Sequence, residues 1–342
     1  MSLDISYTPP GPVAQAFLLD ESFVTGLRGP VGSGKSVTCC IKLMRLAMSQ
    51  TPGPDGIRYS RWAVVRNTQP ELRTTTIKTW LDWFPEASWG RFNWSPPFTH
   101  RIRVGDLDIE VIFLALDTED DVRKLKSLEL TGAWVNEAQF TPKGIVDTLT
   151  ERVGRYPSVR NGGCRWAGVI MDTNAMDPDH WWPIMAGEVP MPEDLPAEDL
   201  LMLVKPDNWV FYNQPGAMVD VREAGELVGY AINDNAENLK ALRPGYYDNQ
   251  IRGKKRGEIQ RYIQNRLVIV RDGKSVWPSF VPEVHVKPVA WQRDHDILIG
   301  MDFGLTPAAV IGQRVLGQAR IFAELVSYGD MGARKFAREL KA

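Results

Sequence analysis

Gly29-Pro30-Val31-Gly32-Ser33-Gly34-Lys35-Ser36 is the stretch on which the reading of this chain turns. It satisfies GxxxxGK[ST] at every specified position. It follows an apolar run at 23–27 and opens a helix-like run at 35–49, so the strand–loop–helix context that the pattern requires is present. Gly29, Gly32, Ser33 and Gly34 form a loop whose backbone N–H groups turn inward on phosphate oxygens. The helix N-terminus adds partial positive charge. Lys35 is placed to reach the β- and γ-phosphates of a nucleoside triphosphate, and Ser36 to ligate its Mg²⁺.

Outward from the loop, short apolar runs recur at 62–66, 109–116, 130–135, 167–172 and 209–212, with a second helical stretch at 141–152. Continuous apolar runs suit strands buried on both faces, as in parallel sheets. The expected fold class is therefore α/β, a P-loop NTPase with a mostly parallel sheet flanked by helices, over residues 1–215. Charge-rich, helix-like pieces at 220–229 and 237–242 predict a helical linker subdomain over 216–265. A strand is expected at 266–270. Three strand-like runs at 297–302, 308–313 and 319–326, then a helix from 333, form a last segment, 266–342.

Lys plus Arg is 40 and Asp plus Glu 42, a formal charge of −2, which excludes a globally basic nucleic-acid binder but not a local basic face. The longest clean apolar run, 111–116, is far short of the ~20 residues of a membrane span. Three cysteines without CxxC spacing argue against a disulfide framework or a zinc site, and for a cytoplasmic setting.

A phosphate cradle does not by itself specify a reaction; a second acidic element does. Asn136-Glu137 ends the run at 130–135, where Glu137 is positioned to polarise an attacking water. The usual pattern has Asp before this Glu. Asn136 stands there instead, so any hold on Mg²⁺ from Asn136 is weak or indirect. The next run ends in Asp172-Thr173-Asn174, polar groups suited to sensing a γ-phosphate. Arg28, directly before the loop, is the first arginine expected to neutralise transition-state charge; Arg66, Arg123, Arg152 and Arg155 are the others.

Taken in order, these segments resemble the large terminase subunit of tailed bacteriophages. GPVGSGKS resembles its phosphate loop and LTGAWVNEA its Walker B segment, with Glu137 in the catalytic position. The passage ending GVIMDTNAM resembles its coupling segment, with Thr173 and Asn174. ILIGMDFGLTPAAVI resembles the first strand of its RNase H-like nuclease, with Asp302 at the first metal-binding carboxylate. The resemblance implies an ATPase, with ATP and Mg²⁺, that drives double-stranded DNA into a procapsid. It implies a homo-oligomeric ring, a pentamer, working with a portal protein and a small terminase subunit. The place implied is the host cytoplasm, at the portal vertex, with no membrane. The segment 266–342 would be an incomplete nuclease, without DNA cleavage, because a two-metal site needs several converging carboxylates and Asp302 supplies one. A helicase or repair ATPase, and a nucleotide-dependent scaffold that docks a portal, are the competing readings. The cluster RGKKRG at 252–257 is a candidate contact to DNA phosphates. Asp177-Pro178-Asp179-His180 is read as a polar loop rather than a metal site.

Overall fold

The computed structural model describes residues 6–116, 119–192, 195–224, 226–270, 285–303, 307–327 and 332–341. The chain divides into two compact units, Met1–Val270 and Arg271–Ala342.

In the first unit the expected strands form as β1 (Val24–Arg28), β2 (Arg58–Arg66), β5 (Leu107–Ala115), β6 (Gly132–Asn136), β7 (Gly168–Thr173) and β8 (Trp209–Asn213). Two further strands, β3 (Phe92–Asn93) and β4 (Phe98–Val104), complete one eight-stranded sheet of order β3-β4-β5-β2-β6-β7-β1-β8. Pairing is parallel from β5 to β8 and antiparallel only at the β3–β4–β5 edge. Burial follows this division. Every residue of β1, β6 and β7 is buried, whereas β4 alternates between core and solvent.

Both faces of the parallel part are covered. Trp62, Val64, Trp134 and Ile170 pack on one side with helices α1 (Pro12–Leu19) and α2 (Lys35–Met48). Ala63, Val65, Val135 and Met171 pack on the other with helices Lys143–Arg152 and Trp181–Met185. The two-residue period of the strands thus divides one sheet between two cores. Cys39 and Cys40 lie fully buried on α2, and burial pushes both thiols up, so they act as small packing residues.

The region 216–265 departs from the helical expectation. Residues 220–223 and 226–229 belong to an antiparallel ribbon, β9 (Met218–Glu223) with β10 (Glu226–Ile232). Val219 and Val221 alternate with Asp220 and Arg222, and Val219, Val221 and Val228 are all exposed. The valines stand in solvent while Met218 and Tyr230 pack into a small core, so the apolar alternation that marks a sheet strand is diluted. Of the stretch 237–242, only Leu239–Ala241 forms a short 3₁₀ turn. Helix is confined to short pieces, Tyr246–Ile251 and Arg256–Glu258 with the π turn Ile259–Ile263. The expected strand at 266–270 makes no ladder.

The second unit contains three antiparallel strands in the order β11 (Ile297–Asp302), β12 (Ala308–Val315) and β13 (Gln318–Val326), followed by a helix at Ala333–Glu339. Asp302 closes β11, exposed, opposite Ala308. Gly304, Leu305 and Thr306 of the quoted nuclease-like segment lie outside the described residues.

Candidate active site

The site collects where the carboxyl ends of β1, β6 and β7 meet, the edge at which open α/β sheets place ligands. Register does the collecting: Asn136 lies opposite Asp172, and Arg28 opposite Thr173. Gly34 turns the loop into α2 in the left-handed region, φ 84°, which a side chain would resist. A Cβ on Gly29 would stand 2.0 Å from Gln214 Oε1, so a side chain here would displace the amide that Ser33 contacts.

Lys35 is buried beneath the loop. Its Nζ donates to Pro30 O at 2.8 Å and to Asn174 Oδ1 at 3.1 Å. The amide nitrogen of the same Asn174 donates to Glu137 Oε2 at 2.9 Å. One amide therefore joins the loop lysine to the strand-tip glutamate, and the two face a common space. Burial lowers the Lys35 ammonium pKa, and the charges of Glu137 and Asp172 oppose that shift.

Glu137 is half-buried and sits at φ 58°, a left-handed conformation uncommon outside glycine and concentrated at functional sites. Gln139 holds it as well, donating from Nε2 to Glu137 Oε2 at 2.5 Å. Gln139 Oε1 accepts from Thr173 Oγ1 at 2.5 Å. Thr173 and Asn174 thus both reach Glu137, the first through Gln139 and the second directly. Gln139 escapes a reading of the sequence, since a glutamine two residues past a strand carries no motif.

Ser36 Oγ donates to Asp172 Oδ2 at 2.8 Å. Trp134 Nε1 donates to Asp172 Oδ1 at 2.7 Å, and Asn136 Nδ2 to both carboxylate oxygens at 3.0 and 3.1 Å. Asp172 is fully buried. Burial first, and then the charge of Glu137, raise its pKa, against the hydrogen bonds from these three residues. Ser36 and Asp172 present hard oxygen donors beside the phosphate loop. That set suits Mg²⁺, which is commonly held by one or two carboxylates plus substrate phosphates. No group of three or more His, Cys, Asp or Glu side chains placed to hold a metal occurs among the described residues.

Two expected roles are corrected. Arg28 is not directed at the phosphate loop. It is 2% exposed, pairs with Glu188, and donates to Asn265 O at 2.9 Å. The residue adjoining the loop in sequence is turned aside by the strand. Asn136 has no amide oxygen to spare for a metal, because Arg66 Nη1 donates to its Oδ1 at 2.6 Å and Thr76 Oγ1 at 2.7 Å. Of the other arginines considered, Arg152 donates to Lys126 O and Arg155 to Glu151 O. Arg123 is exposed.

The loop is also gripped by Gln214, Asn238, Tyr247 and Tyr262. Val31 N donates to Tyr262 O at 2.8 Å, Tyr247 Oη to Val31 O at 2.9 Å, and Asn238 Nδ2 to Gly32 O at 2.7 Å. Ser33 Oγ lies 2.7 Å from Gln214 Oε1, and Gln214 Nε2 donates to buried Glu237 at 2.6 Å. The Asp177–His180 loop behaves as a polar loop: His180 Nδ1 accepts from Trp182 N and caps a helix, and Asp177 pairs with Arg261.

No family model matches the sequence, and no curated protein does. Solved structures do match. The large terminase of a thermophilic bacteriophage is similar at 15% identity and TM-score 0.52, over 97% of this chain and 73% of that one. The same terminase in complex with ADP matches at 14% identity and TM-score 0.52, over 96% and 72%. Its complex with ATP-γ-S matches at 13% identity and TM-score 0.50, over the same shares. At these identities the likeness is one of fold, the α/β P-loop arrangement expected from the sequence.

Proposed function

We propose that this chain is a Mg²⁺-dependent ATPase of the large-terminase type, which drives double-stranded DNA through a portal into a procapsid. The observation that carries the reading is the Lys35–Asn174–Glu137 bridge, a phosphate-loop cation and a strand-tip carboxylate facing one space. The thermophilic phage's terminase, crystallised with ADP and with ATP-γ-S, shares the fold in which the bridge sits.

In this reading the loop backbone from Gly29 to Gly34 and the Lys35 ammonium bind the β- and γ-phosphates of ATP. Bound beside Ser36, Mg²⁺ would neutralise the charge of the triphosphate. Glu137 orients a water on the γ-phosphorus and takes its proton as the new P–O bond forms, while the β,γ-bridging oxygen leaves with ADP. A phosphate that draws Lys35 away from Asn174 frees that amide, and so changes what holds Glu137. Thr173 and Asn174 thereby couple the state of the nucleotide to the strand tips. The bonds from Tyr262, Tyr247 and Asn238 to the loop backbone offer a route from those tips to 216–265.

The division into an ATPase part (1–215), a linker part (216–265) and a nuclease-like part (266–342) belongs to the same proposal, as do the ring of copies, the small terminase subunit and the host cytoplasm. Lys254, Lys255 and Arg256 are exposed, as backbone contact to any DNA sequence would need. The test is turnover of ATP by the full chain. Lys35→Ala should lose both binding and turnover. Glu137→Gln should keep ATP binding and lose turnover by ~10²-fold or more. Full turnover in Glu137→Gln would overturn the reading, and separation of DNA strands during turnover would favour a helicase.

A further inference from the structure

The strand tip that usually carries a metal-facing aspartate carries Asn136 here. The carboxylate that the loop serine contacts comes from the neighbouring strand. Asp172 lies directly across the ladder from Asn136, and its Oδ2 accepts from Ser36 Oγ at 2.8 Å. Its hydrogen-bond partners Ser36, Trp134 and Asn136 are all neutral donors. Neutral donors solvate a buried carboxylate without cancelling its charge. A divalent cation beside Ser36 would cancel it.

Asn136 cannot take that role in this arrangement. Arg66 only donates, so its bond to Oδ1 fixes which end of the amide is the oxygen. That oxygen is engaged by a guanidinium and a hydroxyl. The opposite end, Nδ2, is turned onto Asp172. An aspartate at 136 would set two carboxylates about 3 Å apart, which cannot both ionise cheaply. The amide is what allows Asp172 to stay.

We propose that Asp172 on β7 is the carboxylate that faces Mg²⁺ together with Ser36, and that Asn136 is a positioning residue that orients it. This rests on the ATPase reading above. It moves the metal-facing acid to a different strand from the catalytic glutamate.

The test measures the affinity of a fluorescent ADP for the full chain, with Mg²⁺ and with EDTA, beside Mn²⁺ binding by electron paramagnetic resonance in the presence of ADP. The wild-type chain should bind ADP more tightly with Mg²⁺. Asp172→Asn should lose that gain by roughly 10–100-fold, the range for disturbing a metal's supporting groups, and bind less Mn²⁺. Asp172→Asn with the full Mg²⁺ gain overturns the proposal. Should Asp172→Asn fail to fold, Asn136→Ala decides. With its orienting amide gone, Asp172 loses its aim and the Mg²⁺ gain falls part of the way, and a gain as large as the wild type's overturns the proposal. The two readings fail differently: a wild-type chain that binds no ADP under either condition sinks the ATPase reading and this inference with it. A wild-type gain that survives in Asp172→Asn sinks the inference alone.

Discussion

The tips of β6 and β7 lie side by side and end in similar residues, yet they hold their acids in opposite ways. Asp172 is still within its strand, fully buried, and anchored by three donor residues. Glu137 is one residue past its strand, half-buried, at φ 58°, and held by two side-chain amides. The first is a fixed charge with little room to move. The second can exchange partners when its neighbours do. In the proposed reading, a site that holds a cation and activates water uses one of each, drawn from the tips of different strands.

The sharpest way to break this contrast is at Asn174, which ties Glu137 to Lys35. Asn174→Ala should leave Asp172 and its donors in place and misdirect Glu137. Turnover should fall by about 10²-fold, the scale of a misplaced reacting group, with ADP affinity little changed. Single-turnover hydrolysis beside nucleotide binding checks it. Parallel losses in both would mean that the two tips are one structural unit.

On the fixed side, Trp134→Phe removes one donor from Asp172 and keeps much of the ring's packing. A hydrogen bond to a charged group contributes ~1.5–3 kcal/mol. The urea midpoint should fall accordingly, while turnover changes less than in Asn174→Ala. An unchanged midpoint would mean that Asp172 is not held as a carboxylate.

Acid should act through His180, which faces the Gln139 backbone with Asp177 and Asp179 nearby. Burial lowers its pKa to about 4. The unfolded chain, near 6.5, therefore binds a proton that the folded one refuses. This group's contribution is intact above about pH 6.5 and is lost as pH falls toward 4. His180→Asn keeps a capping side chain without the titration. Unfolding midpoints at pH 7.5, 6 and 5 should converge for the wild type and this variant as pH falls, if the variant starts the less stable. Parallel curves would remove His180 from the account.

These effects also mark what can be read along a chain and what cannot. The phosphate loop, β1, β6, β7 and Glu137 are local signals: contiguous apolar runs closed by a few informative residues. Asp172 is visible as the end of a run, but its task depends on which residue it faces, and register is not written in either strand alone. Arg28 shows the reverse error, since adjacency to the loop in sequence becomes contact with Glu188 and Asn265 in space. Gln139 and Thr76 carry no pattern of their own and act only through what lies opposite. The β9–β10 ribbon reads as helix because its valines, with no core to face, are spaced among charges.

The mildest test concerns the far side of Asn136. Thr76 is brought to it by the π turn Leu72–Thr76, is 3% exposed, and donates to the same oxygen as Arg66. Thr76→Val keeps the shape and removes the hydroxyl, so the cost should be that of one neutral hydrogen bond, ~0.5–1.5 kcal/mol. Because Arg66 still fixes the amide, Asn136 should go on donating to Asp172, and the Mg²⁺ dependence of ADP binding should stay as in the wild type. A Thr76→Val chain that is only slightly less stable yet loses that dependence would show that the hydroxyl, and not the guanidinium, orients Asn136. The division between a fixed acid and a movable one would then depend on a helix outside both strands.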